Sequence, residues 1–133
     1  AVMRELPGTQ IYVSTAAVAD YRPANPACLK IKKTQSTLDL DLERTVDILA
    51  AVSAHPQRPF VVGFAAETND VEMHARQKLL KKNLDLIAAN EVGDDKVFEK
   101  DDNALMVLWR DGGREDLGPG PKTRVAHDLV ALV

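Results

Sequence analysis

The chain has 133 residues, 45% of them apolar and 28% charged, with a net charge of −3 and few aromatics. That is the size and balance of one globular domain; it excludes a disordered chain and gives no long-range pull on nucleic acid. No apolar run approaches the roughly 18 to 20 residues that cross a bilayer, no signal-peptide pattern opens the chain, and the single Cys28 cannot form an internal disulfide, so a cytoplasmic protein with no membrane or nucleic-acid partner is expected.

The chain opens on what reads as the last turn of a helix, as though an earlier part of a domain preceded it. After Pro7-Gly8, the β-branched and aromatic run Gln10–Ser14 predicts a buried strand. Pro23 and Pro26 lack N–H groups and hold their neighbours extended, so residues 21–28 should be an exposed connector, neither helix nor central strand. Residues 38–42 alternate apolar and acidic side chains and suit either a short strand or the lead-in to a helix. Val46, Leu49, Ala50 and Val52 recur near helical spacing and predict a helix over 43–54 that Pro56 stops. Phe60–Phe64 is almost wholly apolar, the signature of a parallel strand buried on both faces.

Residues 65–69 read as a polar turn, with Asn69 or Asp70 capping a helix over 71–82. Leu84–Asn90 is a second buried strand, and residues 91–103 form a long polar loop. Asp111-Gly112-Gly113 joins two strand-like runs as a hairpin, and Pro121 at a first helical position leads into a last helix through Val125, Leu129 and Leu132. Buried strands alternating with helices predict an α/β, Rossmann-like three-layer fold, with a mainly parallel sheet and an antiparallel hairpin at one edge.

Ligands of such sheets bind outside the carboxyl ends of the strands, which here means residues 16–20 and 64–69. Asp20 could hold a ribose hydroxyl or a metal-bound phosphate, and Phe64 could pack on a ribose or base; each in isolation reads more simply as a turn Asp and a core Phe. Lys78 and Lys82 are four apart on one predicted helix face, a repulsive pair unless an anion lies between them, and on spacing alone a solvated helix face accounts for them. Lys30, Lys32 and Lys33 sit on the proline-punctuated loop, where a lysine can close over a polyphosphate, though an ordinary soluble loop again suffices. No glycine-rich phosphate loop follows a strand, which disfavours a dinucleotide-dependent oxidoreductase. His55, His74 and His127 share no spacing and read as structural; Asn83, Asn90 and Asn103 read as conformational; Cys28 has no adjacent base. No metal ligands are assigned.

The runs Ala16-Ala-Val-Ala-Asp-Tyr-Arg22, Lys30-Ile-Lys-Lys33, Val62-Gly-Phe-Ala-Ala-Glu-Thr-Asn69, Ala75-Arg-Gln-Lys78, Lys82-Asn-Leu-Asp-Leu-Ile87 and Asp102-Asn-Ala104 together resemble the phosphopantothenoylcysteine synthetase domain of bacterial coenzyme A biosynthesis. The resemblance implies a CTP-dependent ligase. In that family the carboxylate of 4′-phosphopantothenate attacks the α-phosphate of CTP, pyrophosphate leaves, and the amine of L-cysteine then displaces CMP from the acyl-cytidylate. It further implies Mg2+ with the triphosphate, a homodimer, and a fused phosphopantothenoylcysteine decarboxylase domain that carries FMN and is not part of residues 1–133. Asp20, Lys30, Phe64, Lys78 and Lys82 match the family's CTP-binding positions, with Lys30 the loop lysine tied to turnover of the acyl-cytidylate; Ala17 matches a backbone position near phosphopantothenate. Where the family carries Asn-Pro-Asp-Ile, this chain has Thr45-Val46-Asp47-Ile48, keeping Asp47 and Ile48 as nucleotide contacts. Residues 1–133 would then be the CTP-binding, carboxyl-terminal part of one ligase domain, without the amino-terminal half that holds the other phosphopantothenate contacts, and would bind nucleotide weakly without completing the reaction. A non-catalytic nucleotide-binding or dimerisation fragment is the alternative.

Overall fold

The two most apolar runs of the sequence become two adjacent strands in the middle of a sheet, and the helices cover that sheet on both faces. The computed structural model describes residues 1–32, 36–92 and 102–133. Lys33 and most of the loop expected over 91–103 lie outside the described residues. The elements in chain order are α1 (Val2–Glu5), β1 (Ile11–Val13), β2 (Tyr21–Pro23), β3 (Leu42–Arg44), α2 (Ile48–Ser53), β4 (Phe60–Glu67), α3 (Val71–Lys81), β5 (Leu86–Glu91), β6 (Asp102–Trp109), β7 (Arg114–Pro121) and α4 (Lys122–Ala131). They fall into two units, Ala1–Thr15 together with Ile48–Val133, and Ala16–Asp47.

The larger unit is built on a sheet in the order β1-β4-β5-β6-β7. β1, β4 and β5 run parallel, and the β6–β7 hairpin adds two antiparallel strands at one edge, as expected. Period-two alternation sends Val61 and Ala65 to a core shared with Leu49 and Val52 of α2 and Ala75 and Leu79 of α3. It sends Val62, Leu86 and Ala88 to the opposite face, where Val125 and Leu129 of α4 pack. The result is a helix–sheet–helix, three-layer arrangement. Gly63 makes the α2 side of it possible: a Cβ there would lie 2.6 Å from Leu84 Cδ1 and 3.3 Å from Leu49 Cδ2.

Several expectations need correction. Among the described residues β1 pairs with β4 alone, and Ile11 and Val13 are exposed rather than buried. β4 does not end at Phe64 but runs on to Glu67, because the ladder with β5 continues to the pair Glu67↔Glu91. The helix expected over 43–54 is confined to Ile48–Ser53; Glu43 and Arg44 pair in a strand, and Val46 is exposed. Pro121 stands one position earlier than expected, as the cap before Lys122.

The smaller unit is a two-stranded antiparallel ribbon, β2 with β3, in the register Tyr21↔Arg44, Arg22↔Glu43 and Pro23↔Leu42. The connector expected over 21–28 therefore begins as a ribbon strand, and of the two readings of 38–42 the strand begins only at Leu42. Arg22 donates to Glu43 at 2.7 Å, and the Arg44 guanidinium lies 5.9 Å from the Tyr21 ring centroid, so the exposed ribbon is held by cross-strand pairs rather than a core.

Candidate functional site

The parallel ladder decides which backbone groups of β4 are available. The carbonyls of Val61 and Glu67 accept from Asp85 and Val92 on the β5 side, while the carbonyl of Val62 accepts from Ser14 on the β1 side. Even-numbered residues of β4 thus turn their polar groups toward β1, and β1 pairs only as far as Val13. The Phe64 carbonyl lies past that end and is taken by a side chain: Lys78 Nζ donates to it at 2.8 Å.

Lys78 reaches this position because of the helix period. At about 100° per residue, Val71, Ala75 and Leu79 of α3 form the core stripe, and His74, Lys78 and Lys81 fall along one flank of it with Lys82 nearer the stripe. Lys78 and Lys82 are half-buried and Lys81 is exposed. The flank and the carboxyl-terminal residue of β4 line a groove of about 380 Å³, formed by Glu67, His74, Gln77, Lys78, Lys81 and Lys82. Its lining carries three lysines and one glutamate.

The helix end that holds Lys82 is fixed by its backbone. Asn83 adopts φ 54, in the left-handed region. Leu84 donates its N–H to Leu79 and Asn83 donates its N–H to Leu80, which together satisfy the last carbonyls of α3 as a Schellman motif. The conformational reading of Asn83 holds.

The opposite flank of α3 is tied down by charge. Glu72 accepts from Arg76 at 2.9 Å and from Arg114 at 2.6 Å, and Arg114 also donates to Asp116 at 2.9 Å. The Arg76 hydrogen bond, working against partial desolvation and reinforced by the Arg114 charge, holds the Glu72 carboxyl below its ordinary range. The Asp116 hydrogen bond raises Arg114 in turn.

Of the residues singled out in the sequence, Phe64, Lys78 and Lys82 come together in the larger unit. Phe64 is half-buried and packs its ring on the α4 side of the sheet while offering its carbonyl to Lys78. Ile48 opens α2 with its side chain against the α2–α3 core. Ala17, Asp20, Lys30 and Asp47 belong to the smaller unit and are exposed. There, Thr45 donates its hydroxyl to the Ala19 carbonyl at 2.6 Å and its N–H to the Asp20 carbonyl at 2.9 Å, which fixes the backbone at Asp20 and leaves its carboxylate exposed. Glu67, His74, Gln77 and Lys81 were not anticipated. The spacing of His74 and Lys81 from Lys78 was visible in the sequence, whereas Glu67 required the knowledge that β4 continues past Phe64.

A family model described as the DNA/pantothenate metabolism flavoprotein C-terminal domain matches residues 1–133. The coenzyme A biosynthesis bifunctional protein CoaBC of Vibrio cholerae is 50% identical over 137 residues, covering 100% of this chain and 34% of that protein. The protein of the same name from Escherichia coli is 51% identical over 109 residues, covering 78% of this chain and 27% of the relative. The chain thus spans about a third of the length of the curated relatives it matches. Among solved structures, the C-terminal domain of a coenzyme A biosynthesis bifunctional protein CoaBC superposes with a TM-score of 0.76 at 31% identity, over 98% of this chain and 56% of that one. A DNA/pantothenate metabolism flavoprotein from Streptococcus pneumoniae shares the fold with a TM-score of 0.72 at 19% identity, over 97% of this chain and 64% of its own.

Proposed function

The chain belongs to the DNA/pantothenate metabolism flavoprotein C-terminal domain family, and on that premise we propose that it supplies the CTP-binding part of a ligase that joins 4′-phosphopantothenate and L-cysteine in coenzyme A biosynthesis. The observation that carries this reading is the pair Lys78 and Lys82, half-buried on one flank of α3 and facing a groove, with Lys78 held by the Phe64 carbonyl. Two cations set four residues apart on one flank suit an anion of several charges. A triphosphate is such an anion.

The reaction divides into two displacements. A carboxylate oxygen of phosphopantothenate attacks the α-phosphorus of CTP, the bond to the bridging oxygen breaks, and pyrophosphate leaves with the charge of that bond. The cysteine amine then attacks the acyl carbon, loses a proton, and expels CMP. Negative charge grows on the leaving pyrophosphate in the first displacement, and Lys78 and Lys82 are assigned to receive it. Phe64 is assigned to the ribose or base, and Asp20, Asp47 and Ile48 to further nucleotide contacts. Ala17 is assigned to a backbone contact near the activated carboxyl group, and Lys30 to catalysis on the acyl-cytidylate.

Magnesium would accompany the triphosphate. It would be carried by phosphate oxygens and water. No residue of this chain is assigned to a flavin; FMN chemistry belongs to a fused decarboxylase domain, in keeping with relatives named bifunctional proteins. A homodimer and a cytoplasmic location complete the reading, and no helix among the described residues is long and apolar enough to cross a membrane.

A thermal-shift comparison of CTP, ATP and NAD tests it. A ligand at a hundredfold excess over its Kd stabilises by about 2.7 kcal/mol, several degrees for a domain of this size. CTP with Mg2+ is expected to raise Tm and NAD to leave it unchanged. A shift with NAD, or none with CTP, would overturn the proposal.

A further inference from the structure

The ligase reading uses two of the six residues that line the α3 groove and leaves Glu67, His74, Gln77 and Lys81 without a task. His74 stands out among them. It lies one helical turn before Lys78, and its Nδ1 is shut off from water with no hydrogen-bond partner among the described residues. Glu67 Oε2 is 3.6 Å away, just beyond hydrogen-bond range. A buried nitrogen left unpaired beside a carboxylate costs stability, and the cost disappears if Nδ1 carries a proton and donates it to Glu67.

Charged groups of both signs surround the pair. From β4 it faces Glu67, and the ladder sets Glu91 of β5 beside Glu67. Along α3, Asp70 lies one turn before it, and Lys78, Lys81 and Lys82 share its groove. The lysines oppose a further positive charge there and the carboxylates favour one. A polyphosphate entering among the lysines adds negative charge beside the ring, and histidine is the side chain able to answer near neutral pH.

We infer that Glu67 and His74 form a proton-coupled anion contact: when a polyphosphate enters beside the three lysines, His74 takes up a proton from solvent, donates Nδ1–H to Glu67, and donates Nε2–H to a phosphate oxygen. This rests on the groove being the triphosphate site of the proposed ligase. By linkage, a ligand that promotes protonation must bind more tightly as protons become available.

The test is calorimetric titration of the protein with CTP and Mg2+ near pH 7.5, in buffers of different ionisation heat, which counts protons exchanged. The wild type should take up between roughly a half and one proton per CTP. His74→Gln should abolish that uptake and weaken CTP about tenfold, the size of one charge-assisted contact. Glu67→Gln should reduce the uptake. Should either variant fail to fold, the imidazole NMR signals of the wild type decide, with His74 assigned from His55→Gln and His127→Gln proteins: CTP should move them toward the protonated position. Unchanged proton uptake in His74→Gln, or His74 signals that CTP leaves in place, would overturn the inference while the ligase reading stands. Failure of the wild type to bind CTP at all would overturn that reading and this inference with it.

Discussion

At the scale of the residue, Lys78 does two jobs that pull in different directions. Its ammonium satisfies the Phe64 carbonyl beyond the end of β1, and it lines the groove. Lys78→Met should therefore weaken CTP by at least about tenfold and also lower unfolding stability by about 1 to 2 kcal/mol, since a half-buried carbonyl loses its donor. Titration calorimetry and urea unfolding separate the two effects; a variant that lost neither would remove Lys78 from both roles. Gly63 is a purely structural counterpart. A methyl group there meets Leu84, which is wholly buried, and Leu49, so Gly63→Ala should cost about 1 to 3 kcal/mol in urea unfolding through overpacking. The lysines also show what single residues could not say in the sequence. Lys78 and Lys82 at i, i+4 look like any solvated basic face, and nothing in their spacing shows that the Phe64 carbonyl, past the end of β1, takes Lys78.

At the scale of the element, α3 is held in place from three sides, and each hold bears on where its lysine flank points. The core stripe fixes its face, the Schellman motif fixes its end, and the Glu72–Arg114–Asp116 network fixes its first turn against β7. Asn83 occupies a left-handed conformation that a β-branched residue adopts poorly. Asn83→Val should lower stability by about 1 kcal/mol while Asn83→Gly is tolerated, as read from paired urea curves. The network makes a prediction about acid. Glu72 titrates lower in the folded protein than in the unfolded chain, so the unfolded state binds its proton first as pH falls. The stabilisation from Glu72 is therefore present above the unfolded range and is lost as pH falls through the folded value. A Glu72→Gln variant should have lower Tm than wild type near neutrality, with the difference shrinking from about pH 5 downward. Because the pairs are exposed, the difference should also shrink in about 1 M salt. A difference independent of both pH and salt would assign the effect to packing instead.

At the scale of the whole molecule, the sheet was largely legible because its strands announce themselves. Phe60–Phe64 and Leu84–Asn90 are apolar on both faces as only inner strands are, and Asp111-Gly112-Gly113 is a hairpin signal that the structure honours. The misreadings share a cause: local pattern cannot see pairing. Gln10–Ser14 has the composition of a buried strand yet ends as a short edge. Glu43 and Arg44 look helical until they pair with Tyr21 and Arg22 in a ribbon held by exposed charges. The groove was less legible than the sheet, because Glu67 enters it only through the extension of β4 and His74 only through its neighbours. The reaction came from the resemblance alone, so the central claim is chemical and is best tested chemically. The decisive measurement supplies the protein with CTP, Mg2+ and 4′-phosphopantothenate in the absence of cysteine and follows pyrophosphate and the acyl-cytidylate mass, then adds cysteine. Residues 1–133 alone are predicted to bind CTP without releasing pyrophosphate, whereas the same mixture supplemented with the amino-terminal half of the ligase domain should release pyrophosphate only with phosphopantothenate and then give one CMP and one amide per acyl-cytidylate once cysteine arrives; robust turnover by residues 1–133 alone, or CTP left unconsumed with that half present, would contradict the account.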